Sequence, residues 1–175
     1  MAIEIERKFL VRGDGWRSAA HKVVPMAQGY LNDIAMVDSG AMQASVRVRI
    51  EGDKARLNIK SRELGARRQE FEYPVPVADA RALLALSVGG LIDKRRHYVE
   101  HAGHLWEVDE FLGDNAGLVV AEIELSGVDE AFEAPSWIGV EATHAPRYYN
   151  LALASRPFSQ WRDDERRALD LMEGH

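Results

Sequence analysis

Glu4-Ile5-Glu6-Arg7-Lys8-Phe9, near the start of the chain, places Glu4, Glu6 and Lys8 at alternate positions. Successive side chains of a β-strand point to opposite faces, so these three share one face and Ile3, Ile5 and Phe9 share the other. A lone half-buried strand with this pattern would wet its charged face and bury its apolar one. Repetition argues for something else. Val46-Arg47-Val48-Arg49-Ile50 sets two arginines against three aliphatics, and Leu57-Asn58-Ile59-Lys60 sets Asn58 and Lys60 against Leu57 and Ile59. Glu70-Phe71-Glu72-Tyr73, Trp106-Glu107-Val108-Asp109 and Ala121-Glu122-Ile123-Glu124-Leu125 do the same with acids. Lys94 and Arg96 share a face in Lys94-Arg95-Arg96-His97-Tyr98.

With Gln28-Gly29-Tyr30-Leu31 these make eight candidate strands. An even-numbered antiparallel sheet can close on itself and abolish its edges, and about eight strands leave an interior for side chains or one small ligand. The expected fold is therefore α+β: a closed eight-stranded antiparallel β-barrel, with its apolar faces packed outward against helices and its charged faces lining a tunnel.

Composition permits this. A chain of 175 residues suits one domain, here 1–175. Its 46% hydrophobic and 29% charged residues mark a globular protein. A net charge of −6 argues against nucleic acid as a partner. The absence of cysteine fits a reducing compartment, and no apolar run reaches membrane-spanning length, so a cytoplasmic location without membrane contact is expected. A homodimer is left open.

Between the strands, Asp14 to Ala20 reads as a short helix and Asp33 to Met42 as a loop. Val77 to Leu86 has helical spacing, closed by Gly89-Gly90. Gly127 to Phe132 suggests another short helix before Pro135. The segment 149–175 reads as a C-terminal helix interrupted at Pro157, with Phe158, Trp161, Ala168, Leu169 and Met172 as its apolar stripe. It would cover the barrel or plug one end.

The charged faces carry the chemistry. Glu4, Glu6, Glu70, Glu72, Glu107, Asp109, Glu122 and Glu124 bring carboxylates together, and Lys8, Arg47, Arg49, Lys60, Lys94 and Arg96 bring cations. Burying so many charges gains little stability, because desolvation can exceed the Coulombic return. Carboxylates hold Mg²⁺ or Mn²⁺, while Arg and Lys grip phosphates, so a metal-bound linear triphosphate is the natural occupant. The sequence has no Gly-x-x-x-x-Gly-Lys-Ser/Thr loop and no His-Glu-x-x-His helix. His97, His101 and His104 read as surface residues, which makes zinc an unsuitable metal.

The Glu-x-Glu-x-Lys start resembles the signature of the CYTH superfamily, the triphosphate tunnel metalloenzymes. The likeness extends in order through Gln28 to Leu31, Arg47 and Arg49, Lys60-Ser61, Arg68 to Glu72, Lys94 with Arg96, Glu107 and Asp109, Glu122 and Glu124, and Arg147-Tyr148 before Asn150. Within the family it looks most like the small bacterial inorganic triphosphatase type. The resemblance implies metal-dependent hydrolysis of a small-molecule triphosphate, with tripolyphosphate cleaved to pyrophosphate and phosphate. Its alternatives are a class IV-type adenylate cyclase, a nucleoside or thiamine triphosphatase, or a non-catalytic triphosphate- or polyphosphate-binding module. It implies Glu4, Glu6, Glu122 and Glu124 as metal ligands, with Glu70, Glu72 and Asp109 around a second ion. Lys8, Arg47, Arg49, Lys60, Lys94 and Arg96 would hold phosphate. Glu6, Lys8 and Tyr30 would be catalytic, Tyr30 by orienting water or taking its proton, unless its ring simply packs at the tunnel mouth. The family often has an acid just before its Arg-Tyr, whereas His144-Ala145-Pro146 stands here, so Arg147 either contacts phosphate or anchors the C-terminal helix.

Overall fold

Alternating strands build one antiparallel sheet in the computed structural model, which describes residues 5–62 and 69–173. The strands are β1 (Ile5–Val11), β2 (Lys22–Tyr30), β3 (Ala44–Glu51), β4 (Lys54–Ser61), β5 (Glu70–Val75), β6 (Val88–His101), β7 (His104–Phe111), β8 (Val119–Leu125) and β9 (Ile138–Glu141). Neighbours run β5-β4-β3-β2-β6-β7-β8-β1-β9. All eight strands expected from the alternation are present. The ninth, β9, was not foreseen: it is four residues long and holds Gly139, whose missing Cβ would stand 3.0 Å from the Leu10 carbonyl oxygen on β1.

A closed eight-stranded barrel is not what forms. The sheet has nine strands, and among the described residues its edges β5 and β9 do not pair with each other. Pro74 in β5 has no N–H to donate to a further ladder. The sheet nevertheless curls strongly, since Glu72 on the edge strand β5 and Glu6 on β1, beside the opposite edge, line the same cavity.

The apolar faces pack outward as the alternation requires. Trp106, Val108, Ala121 and Ile123 are essentially inaccessible and meet Phe9, Trp16 and Trp137 in one cluster. Each buried Val, Ile or Phe side chain contributes about 1.5–3 kcal/mol by leaving water. Trp16 comes from α1 (Gly15–Ala19). A second cluster packs α3 (Val77–Leu84) on Val48 and Ala55 through Ala80. The third gathers Ile92, Phe111 and Val120 beneath α4 (Asn150–Ser155) and Trp161.

Several connections differ from the sequence reading. Residues 33–42 include a helix, α2 (Ile34–Asp38), because the Asp33 carboxylate caps it by accepting from the Ala35 N–H at 2.9 Å. Gly89 and Gly90 belong to β6 instead of ending α3. They let the α4 carbonyl of Ala154 approach to 3.2–3.3 Å of where a Cβ would stand. No helix forms between Gly127 and Phe132. The tail is a string of short pieces, with α5 (Asp163–Arg166) and α6 (Leu169–Met172) separated by Ala168 at φ 53. Trp161 and Ala168 are buried as its stripe demands, but Met172 is exposed. No helix among the described residues is long and apolar enough to cross a membrane.

Candidate active site

Strand parity sends the charged side chains of β1 and of β3 to β8 into one cavity of about 980 Å³. It is lined by Glu6, Lys8, Tyr30, Arg47, Arg49, Lys60, Glu70, Glu72, Arg96, Glu122 and Glu124, all expected from the sequence. Register fixes their pairing: Glu6 opposes Glu124 and Lys8 opposes Glu122 across β1 and β8, and Tyr30 opposes Arg47 across β2 and β3. A bulge in β2 between Gln28 and Tyr30 is permitted by Gly29, where a Cβ would fall 2.2 Å from Ser87 Oγ. Gln28, fully buried, accepts from Arg49 Nε at 3.0 Å and so aims that guanidinium.

The acidic wall is built on β1, β7 and β8. Lys8 Nζ lies 2.6 Å from Glu122 Oε1. The Glu6 carboxyl hydrogen-bonds to Glu122, and that contact, with burial and the Glu122 charge, pushes Glu6 up to about 8. Burial works to raise Glu122 too, but the Glu6 hydrogen bond and the Lys8, Arg96 and Lys94 charges hold it below the usual carboxylate range. Of the two acids, Glu6 is thus the one that keeps its proton to higher pH.

The basic wall lies on β3 and β4. Arg47 is pulled below the usual guanidinium value by burial and by the Arg49 charge, while Tyr30 hydrogen-bonds to it. Arg47 Nε is buried without a hydrogen-bond partner. Asn58, itself buried, donates to Glu72 at 2.8 Å and to Glu70 at 3.3 Å. Lys60 Nζ lies 3.7 Å from Glu70. Burial pushes Glu72 upward, but the Asn58 hydrogen bond and the Arg56 guanidinium outweigh it and hold Glu72 low.

Three expected residues are missing from this lining. Glu4 lies outside the described residues. Lys94 and Asp109 share the charged face but do not line the cavity. Their side chains are 1% and 2% exposed, paired at 2.6 Å, and Asp109 also takes two hydrogen bonds of 2.8 Å from Arg96. Burial works against both charges, yet Lys94 and Arg96 keep Asp109 below its ordinary value. The pair is a foundation under Arg96. Glu107 lines the cavity instead, 2.5 Å from Arg96 Nη1.

Other residues carry no foreseen role. Tyr149, Asn150 and Leu151 reach the cavity from the start of α4, and Glu130 from the loop after β8. Strand alternation cannot reveal them because they lie off the sheet. Arg147 makes two 2.7 Å bonds to Asp170, so it anchors the C-terminal segment. His97 is buried against Trp16, with ring centroids 4.8 Å apart, and is no surface residue. His104 pairs with Glu130 at 2.8 Å.

Among the described residues, no three acids or histidines converge into a finished metal cage. The donor chemistry nonetheless fits a hard cation, since the Glu6 and Glu122 carboxyls meet at hydrogen-bond distance and bring their oxygen donors together.

The family model for the CYTH domain matches residues 2–149. The inorganic triphosphatase of Acetivibrio thermocellus is 43% identical over 164 residues, covering 93% of this chain and all of that protein. The inorganic triphosphatase of Nitrosomonas europaea is 37% identical over 156 residues, covering 86% and 96%. A crystal structure of an inorganic triphosphatase superposes with a TM-score of 0.68 at 34% identity, over 88% of this chain and 95% of that one.

Proposed function

This chain belongs to the CYTH domain family, and from that membership we propose that it hydrolyses inorganic tripolyphosphate to pyrophosphate and phosphate inside the charged cavity. The observation that carries this reading is a single cavity with carboxylates of Glu6, Glu122 and Glu124 on one wall and Arg47, Arg49 and Lys60 on another. A linear triphosphate takes both: its oxygens meet the cations and its charge draws a divalent ion to the acids.

Each residue then has a task. Arg47, Arg49, Lys60, Arg96 and Lys8 grip the non-bridging oxygens, and the unpartnered Arg47 Nε is a donor ready for one of them. Tyr30, bonded to Arg47, fixes that guanidinium and is assigned to orienting the attacking water. Glu6, Glu122 and Glu124 hold Mg²⁺ or Mn²⁺, with Glu70 and Glu72 serving from the facing wall. When bound, such an ion supplies Lewis acidity and positive charge to the phosphate chain. Positioning and charge neutralisation are most of what phosphoryl transfer asks of a protein.

Product analysis with tripolyphosphate, ATP and thiamine triphosphate, each with Mg²⁺ and Mn²⁺, tests the reading. The expected result is kcat/KM for tripolyphosphate at least about tenfold above the others. Cyclic AMP and pyrophosphate as the main products from ATP would overturn it in favour of a cyclase.

A further inference from the structure

The charged cavity does not end at its basic wall. A second cavity of about 950 Å³ adjoins it, floored by α2 and α4 and lined in part by Ile34, Val37, Leu151 and Ala152. Tyr30, Arg47, Lys60, Tyr149 and Leu151 line both cavities and therefore stand at the neck, the boundary where the two meet. Three of these come from the sheet. The other two stand at the start of α4.

Tyr149 is held from several directions. Its Oη donates to the Thr143 carbonyl at 2.7 Å, and the Lys8 ammonium lies 4.2 Å from its ring centroid. Lys8 is thereby set between the Tyr149 face and Glu122. Behind the ring, Tyr148 packs edge-on against Trp161 at 5.1 Å, and Arg147 is tied to Asp170. The C-terminal segment thus fixes the backbone that presents Tyr149.

We propose that Tyr149, with Leu151 beside it, determines specificity by narrowing the neck, so that a bare phosphate chain fills the charged cavity while an organic triphosphate cannot lodge its organic group in the second cavity. This rests on the tripolyphosphate reading above. The second cavity is where such a group would find apolar surface, from Ile34, Val37 and Ala152. The charged cavity gives it none of aromatic kind among the described residues, apart from the two tyrosines of the neck. Tyr149 also positions Lys8, so shortening it acts twice: it opens the path and loosens a phosphate ligand.

The test compares binding of imidotriphosphate and β,γ-imido-ATP, analogues resistant to cleavage at the bridging nitrogen, to the full chain with Mg²⁺ by calorimetry. Tyr149→Ala is expected to cut the ratio of the ATP-analogue Kd to the imidotriphosphate Kd by about tenfold or more, and Leu151→Ala by a smaller factor in the same direction. Tyr149→Phe, which keeps the ring, is expected to hold the ratio within about threefold. Equal weakening of both ligands in the two alanine variants, an unchanged ratio, or binding of neither analogue would overturn the proposal. Thermal melts confirm folding, and Leu151→Ala carries the test if Tyr149→Ala does not fold. Tripolyphosphate hydrolysis by the unaltered protein is measured separately and reports on the enzymatic reading alone.

Discussion

Glu6 hydrogen-bonds to Glu122 across the β1–β8 ladder, and that contact pushes Glu6 up to about 8, while Lys8, 2.6 Å from Glu122 Oε1, helps to hold Glu122 low. The strands hold two acids close enough that their charges oppose each other, which costs the fold stability and favours a cation beside them.

The sign of that cost is measurable. Glu6 rises from 4.5 to about 8 in the folded chain, so its contribution to stability is complete below pH 4.5 and is lost as pH climbs through about 8. Glu6→Gln in chelator should therefore gain on the parent protein between pH 5 and 9. Because Glu6 is partly exposed, the gain is about 1–2 kcal/mol, read as a rise of roughly 2–8 °C in Tm. A gap that shrinks with rising pH would contradict the raised Glu6.

Arg47→Ala and Lys60→Ala should each lower kcat/KM for tripolyphosphate by ~10–100-fold, the loss of one charge-assisted hydrogen bond worth ~1.5–3 kcal/mol. Arg47→Ala should not lower Tm, because Arg47 is a buried cation beside another, Arg49. Normal kinetics in both variants would place phosphate elsewhere.

Asp109→Ala leaves Lys94 buried without its partner and should cost ~3–5 kcal/mol. Lys94→Met should cost less, since Asp109 keeps Arg96. Denaturant titration of the two variants checks the order, and the reverse order would refute the foundation role.

His97 gives a second pH dependence of opposite sign. Burial pulls it below the ordinary 6.5, with Arg17 and Arg95 helping and Glu110 and Asp109 opposing. A histidine held neutral by folding weakens the fold as pH drops below 6.5, where the unfolded chain takes up a proton more readily. His97→Phe keeps an aromatic edge on Trp16, so the Tm difference should move in its favour from pH 7.5 to 5.5. A constant difference would refute this.

The alternation of charge and aliphatic residues made eight strands and most of the cavity lining legible, because period two fixes which face each residue takes. It could not fix depth along that face. Arg96 and Lys94 look equivalent in sequence, yet one lines the cavity and the other is sealed beneath it. Closure was equally hidden: β9 is too short and glycine-broken to show an alternation, and it occupies the side of β1 that a closed barrel would need. Tyr149 lay beyond reach because its position depends on how the C-terminal segment docks, through Arg147–Asp170 and Tyr148–Trp161. The helix α2 escaped the loop reading of residues 33–42 because it is only five residues long, begun by the Asp33 cap.

The most direct measurement is the chemical fate of tripolyphosphate mixed with the purified chain, followed by phosphorus NMR with Mg²⁺ or Mn²⁺ and then with excess chelator. Pyrophosphate and phosphate in equal amounts, formed with the cation and halted by chelator, is the predicted result. Tripolyphosphate left intact under both cations, or cleaved at the same rate in chelator, would contradict the account.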